Sequence, residues 1–174
     1  MKAEKLSLGV DPGLRGAFAL IYGRRVVRVW DMPIEEKPSG GNRVDVVRLM
    51  QVMSQIQSEA LRFPAILRVA VEHVHAMPGQ GVSTMFSMGY SYGTARAALA
   101  LLPTVMLPAT IIVPVTASVW KKALKFPENA PKSYSIDRAK RTLSESSSYL
   151  RLAKHEGRAE AMLLAHYCSK FQTK

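Results

Sequence analysis

The chain has 174 residues, 48% of them apolar, and a formal net charge of +11. That length and composition suit one α/β domain, residues 1–174, with a real core, and they exclude extensive disorder. No run is apolar enough to span a membrane, no signal peptide is expected, and the single cysteine, Cys168, excludes an internal disulfide and, with no zinc-type spacing around it, argues against a zinc site. A basic chain of this kind, in a reducing cytoplasm, is expected to meet a polyanion, most often nucleic acid.

In chain order, residues 6–11 and 16–22 read as two apolar strands, with Arg24 and Arg25 at the turn that follows. Val26 to Trp30 is a third strand, and residues 34–43, with Pro38-Ser39-Gly40-Gly41, read as an exposed loop. From Asp45 to Arg62 apolar residues recur at helical spacing, with Asp45 or Asn42 as the cap. Ile66 to Val71 is a buried strand ending at Glu72, and Pro78 to Gly81 a loop. Residues 83–101 form a helix rich in small residues, on which Phe86, beside Met85 and Met88, reads as core. Thr110 to Pro114 is a strand and Val115 to Leu124 a short helix. A basic loop at 126–134 leads to a basic helix at 135–144, and residues 157–171 form the last amphipathic helix, which buries Cys168. Strands alternating with helices imply a mixed α/β sheet covered on both faces.

Two strands end in acids, Asp11 after Leu6–Val10 and Glu72 after Ile66–Val71. A carboxylate closing an apolar strand is costly unless something compensates it. If the two strands are neighbours, both acids lie at one sheet edge. Glu156 and Glu160, four apart, share one helical face if the last helix begins early enough to include both. Carboxylates converging on one place repel one another, and hard divalent cations with oxygen ligands would resolve the repulsion. Two such ions about 3.5–4 Å apart can divide the work of phosphodiester hydrolysis. Three of the four acids also have a plainer reading: Asp11-Pro12-Gly13 as turn chemistry, Glu156 as a helix-dipole partner, Glu160 as a solvated helix position.

Four stretches carry a family resemblance: Gly9-Val10-Asp11-Pro12-Gly13-Leu14-Arg15-Gly16-Ala17; Val71-Glu72-His73-Val74-His75-Ala76-Met77-Pro78-Gly79-Gln80-Gly81 with Met85-Phe86-Ser87-Met88-Gly89; Val113-Pro114 with Trp120-Lys121; and Gly157 to Ala165. The chain resembles the RuvC-type Holliday junction resolvases of the ribonuclease H-like superfamily, including phage, bacterial and chloroplast members. The resemblance implies a ribonuclease H-like mixed five-stranded sheet with helices on both faces. It also implies a Mg²⁺-dependent endonuclease, with Mn²⁺ able to substitute, that cuts four-way or other branched DNA as a homodimer. No small-molecule cofactor and no membrane partner are expected. Asp11, Glu72 and Glu160 would be metal ligands. Where relatives read Lys-Asp-His-Gly-Arg-Ala-Glu, this chain reads Lys-His-Glu-Gly-Arg-Ala-Glu. The fourth ligand is Glu156 on spacing, while His155 could instead orient water or carry a proton.

The same resemblance turns the segment after Glu72 toward the branch point, making His73, His75 and Met77 candidates for contacts with unstacked bases. Lys121, Lys122 and Lys125, with Lys132, Arg138, Lys140 and Arg141, form a basic tract suited to phosphates, and Arg158 joins the DNA-contact candidates. A lysine of this tract near the metals would also stabilise transition-state charge. Gly13 and Gly16 would leave room for the DNA backbone. Three other readings compete: a phosphotransferase of the actin and sugar-kinase type, which needs a second such domain; a non-catalytic basic DNA-binding or packaging module; and a nuclease acting on RNA–DNA hybrids.

Overall fold

The fold is described from a computed structural model for residues 4–76, 78–102, 107 and 110–171. Three antiparallel strands come first: β1 (Leu6–Asp11), β2 (Ala17–Tyr22) and β3 (Arg25–Asp31). A small hairpin, β4 (Ile34–Glu36) and β5 (Asn42–Val44), precedes α1 (Val46–Ala60). Next come β6 (Leu67–Glu72), α2 (Val82–Leu101), β7 (Ile111–Val115), α3 (Ala117–Ala123), α4 (Ser133–Thr142), α5 (Ser146–Tyr149) and α6 (Glu156–Phe171). The main sheet has the order β3-β2-β1-β6-β7, with β6 and β7 parallel to β1.

The alternation within β1 explains the layering. Leu6, Leu8 and Val10 point to one face, where they pack with Phe18, Leu20, Val69 and Val71 beneath α1 and the C-terminal half of α2. Ser7, Gly9 and Asp11 point to the other, the face covered by α6. That face is paved with small residues: Gly9, Ala17, Ala19 and Ala70. So α6 sits directly on the sheet backbone, with its own Ala161 and Ala165 against Gly9. Cys168 is buried in this layer, and burial pushes its thiol up to about 12, as suits a small core residue.

Several expectations need correction. The stretch at 34–43 is not a plain loop; residues 34–36 and 42–44 pair as a hairpin, turned through Gly40 and Gly41 at positive φ. Arg25 lies in β3, opposite Tyr22. Asp45, not Asn42, caps α1, accepting from the Arg48 N–H at 3.0 Å. Phe86 is not core: it is 76% exposed, because only Ser91, Ala95, Ala98 and Leu99 of α2 reach the interior.

Candidate active site

The strand period that builds the core also gathers the acids. Asp11 and Glu72 both point to the α6 face, at the ends of adjacent parallel strands held in register by Val10 opposite Val71. Glu160 comes from the second turn of α6 and Glu156 from its first residue, four positions away. The start of α6 is held close because Gly157 has no Cβ; a methyl there would run into the Arg15 carbonyl. Asp11, Glu156 and Glu160 line one cavity of about 920 Å³ together with His155 and Lys132.

Each carboxylate has a defined environment. Asp11 accepts the Gly13 N–H at 3.0 Å. Its enclosure, added to the charges of Glu72 and Glu160, raises its carboxyl to about 7, against the lowering effects of the Gly13 N–H and Lys121. Burial also raises Glu72, which accepts from Trp120 Nε1–H at 2.8 Å. Glu160 accepts from the Ser135 hydroxyl at 3.2 Å and ion-pairs with Lys121 Nζ at 2.7 Å. The Lys121 ammonium lies 5.1 Å from the centre of the Trp120 ring. Partial burial opposes that charge, but Glu160, Glu72 and Glu156 together raise the lysine above its ordinary value.

Trp120 therefore serves two acids at once. Its indole edge orients Glu72, and its face supports the lysine that pairs with Glu160. Sequence reading placed Lys121 among phosphate binders and gave Trp120 no separate part. Replacing the indole by Trp120→Phe keeps an aromatic ring in the buried site but removes the donor. Divalent-cation affinity, measured by calorimetry, is expected to weaken about 10-fold or more, the scale for loss of a ligand-orienting partner. An unchanged affinity in a folded variant would show that Glu72 needs no such support.

Other candidates are placed as follows. His73 and His75 are exposed just beyond Glu72, their rings stacked with centroids 6.3 Å apart; His73 Nδ1 bonds the Tyr92 hydroxyl at 2.8 Å. Met77 lies outside the described residues. Lys122 and Lys132 are exposed and line a second cavity, about 750 Å³, that shares Lys121, Glu156 and Glu160 with the acidic site. Lys125, Lys140 and Arg141 are exposed, whereas Arg138 is half-buried and donates to the Leu124 carbonyl at 3.1 Å. Arg158 grips both carboxylate oxygens of Asp31 at 2.5 Å and donates to the Tyr149 carbonyl at 3.1 Å. In this conformation it ties α6 to β3. His155 Nδ1 accepts from the Leu152 N–H at 3.4 Å, and burial with nearby Arg158 lowers its pKa.

Among the described residues, no three His, Cys, Asp or Glu side chains are drawn tightly enough to enclose a metal ion in this conformation. The donor chemistry nevertheless fits a hard divalent cation. The acids offer only carboxylate oxygens, Asp11 is raised by enclosure and by the neighbouring Glu72 and Glu160, and the contacts of Glu160 to Lys121 and Ser135 both fall on Oε1.

No family model and no curated relative matches the sequence. Solved structures do. One described as Thermus thermophilus RuvC in complex with Holliday junction substrate superposes with a TM-score of 0.56 at 16% identity, covering 94% of this chain and 91% of that one. A second T. thermophilus RuvC structure gives 0.55 at 17% identity, covering 97% of each. No helix among the described residues is long and apolar enough to cross a membrane. The sheet order, the acids at its edge and these superpositions lead to one conclusion: the chain has the ribonuclease H-like fold of RuvC.

Proposed function

We propose that this chain is a divalent-metal-dependent endonuclease of branched DNA, a single nuclease domain that works as a homodimer on four-way junctions. The observation that carries the reading is the meeting of Asp11, Glu72 and Glu160 at one sheet edge, in a chain of net charge +11. Asp11, Glu72, Glu160 and Glu156 would hold Mg²⁺ or Mn²⁺, and such cations activate water and stabilise a leaving oxygen in phosphodiester hydrolysis. Lys121 holds positive charge beside the acids, where the pentavalent phosphate would need it. Lys122 and Lys132 provide phosphate contacts on the cavity rim, which position DNA without reading sequence. His73 and His75 offer exposed rings for unstacked bases. His155 lines the cavity, its pKa lowered by partial burial and by Arg158, and its imidazole is suited to orienting water. A second copy fits the exposed face of α2, where Val82 and Phe86 are 80% and 76% exposed.

The test is cleavage of a synthetic four-way junction, a fork, a linear duplex and an RNA–DNA hybrid, each with Mg²⁺, Mn²⁺ or EDTA. Paired nicks in the junction that need the metal, with the linear duplex spared, are expected. Preferred cutting of the hybrid would move the assignment to a ribonuclease, and no metal-dependent cutting of any substrate would leave a binding module.

A further inference from the structure

Beside the acidic cavity lies a second opening that the proposed chemistry does not use. It is a slot of about 390 Å³ between the β1–β2 turn and the N-terminal half of α2. Its walls are Leu14 and Arg15 on one side and Thr84, Ser87, Met88 and Ser91 on the other. The slot arises because α2 outruns its support. Positions 84, 87, 88 and 91 continue the helix face that buries Ala95, Ala98 and Leu99 farther along. Across the gap that face meets the β1–β2 turn, while Gln80 donates to the Met88 thioether at 3.8 Å.

Three observations say what fills the gap. Ser91 is 2% exposed, and among the described residues its hydroxyl oxygen has no hydrogen-bond partner. A buried, unpaired hydroxyl is costly, and a ligand bearing polar edges would satisfy it. Leu14 and Met88 supply apolar surface suited to a flat ring, and the volume lies within the usual range for small-ligand sites, about 300–1,000 Å³. Finally, Gly13, Leu14 and Arg15 line both this slot and the acidic cavity, so the two openings adjoin across the β1–β2 turn.

We propose that this slot receives an unstacked nucleotide next to the scissile phosphate and is where the enzyme discriminates between bases. The base lies between Leu14 and Met88, its polar edge meets Ser91 and Ser87, and Arg15 faces the adjoining phosphate. The proposal rests on the nuclease reading above for the position of the scissile phosphate, but the presence of a base in the slot can be tested separately.

The probe is 2-aminopurine, which brightens on unstacking, placed in turn at each position flanking the cut site of a junction and in a six-nucleotide single strand. Ca²⁺ replaces Mg²⁺ to hold uncut complexes. One flanking position is expected to brighten with the parent protein. Ser87→Phe and, separately, Thr84→Phe, both checked for unchanged circular dichroism and melting, fill the slot and remove the signal. Ser91→Ala removes only the hydroxyl and is expected to flatten the cleavage preference among the four bases by roughly two- to tenfold, the scale of one hydrogen bond. A signal that survives both Phe substitutions, or no signal at any position on a junction that is cut, overturns the slot while sparing the nuclease reading. Brightening of the single strand that needs an open slot, in a protein that cuts no junction, keeps the slot and overturns the nuclease reading. If neither DNA brightens and none is cut, both fall.

Discussion

Asp11→Asn is expected to abolish metal-dependent nicking of a four-way junction, lowering turnover at least about a thousandfold, while junction binding persists. Charge stabilisation of several kcal/mol is the usual scale for metal-assisted phosphoryl chemistry, and each ~1.4 kcal/mol is tenfold in rate. Asparagine can still accept the Gly13 N–H, so the turn that shapes the site is kept. What it cannot do is supply a negative charge between Glu72 and Glu160. Full activity in the variant would remove Asp11 from the chemistry and with it the proposed site.

The same substitution has an opposite effect on stability. Asp11 has an ordinary value of 3.8 and is raised to about 7 in the fold. The native state therefore holds this proton more tightly than the unfolded chain does, and the stability it contributes below about pH 4 is lost as pH rises toward 7. Asparagine carries no such dependence. A shift of about three units corresponds to about 4 kcal/mol at most. Asp11 is partly accessible from the cavity, which reduces that to about 2 kcal/mol. In EDTA the variant should match the parent at pH 4 and melt about 4–8 °C higher at pH 7.5. Adding Mg²⁺ should close the gap by raising the parent. Parallel melting curves for the two proteins across this range would show that Asp11 is not strained by its surroundings.

The acids were legible because they lie on regular elements. Leu6-Ser7-Leu8-Gly9-Val10-Asp11 states both its layers by alternation alone, and the helix period brings Glu156 and Glu160 together. The relations that escaped sequence reading connect distant segments. Lys121 and Glu160 meet only because α3 and α6 pack on the same sheet face, and Arg158 reaches Asp31 across 127 positions. No local pattern announces either pair, so both basic residues read as DNA contacts. Phe86 failed for another reason: α2 is apolar or small on most sides, so its composition carries no phase to say which side is buried. The hairpin of residues 34–44 is too short, at three residues a strand, for alternation to show.

Gly9→Ala should destabilise the protein more than any surface change, by about 3 kcal/mol or more, although it adds one methyl group to an apolar strand. The reason is what lies above it. An added Cβ would collide with the Ala161 carbonyl and the Ala165 amide, both backbone atoms of α6 that no rotamer change can move. Either the helix lifts from the sheet or β1 bends. Overpacking of this kind usually costs about 1–3 kcal/mol, and the upper end applies where the obstacle is backbone. Lifting α6 also moves Glu160 relative to Asp11, since one is carried by the helix and the other by the strand beneath it. Chemical denaturation should show the lost stability, and calorimetry on the folded variant should show weakened Mg²⁺ binding. Ser7→Ala is the control: it lies two residues earlier on the same face of β1 and removes a buried hydroxyl that lacks a partner among the described residues. It should be neutral or slightly stabilising. If Gly9→Ala were equally mild, the close contact between α6 and β1 would not be what holds the acids together.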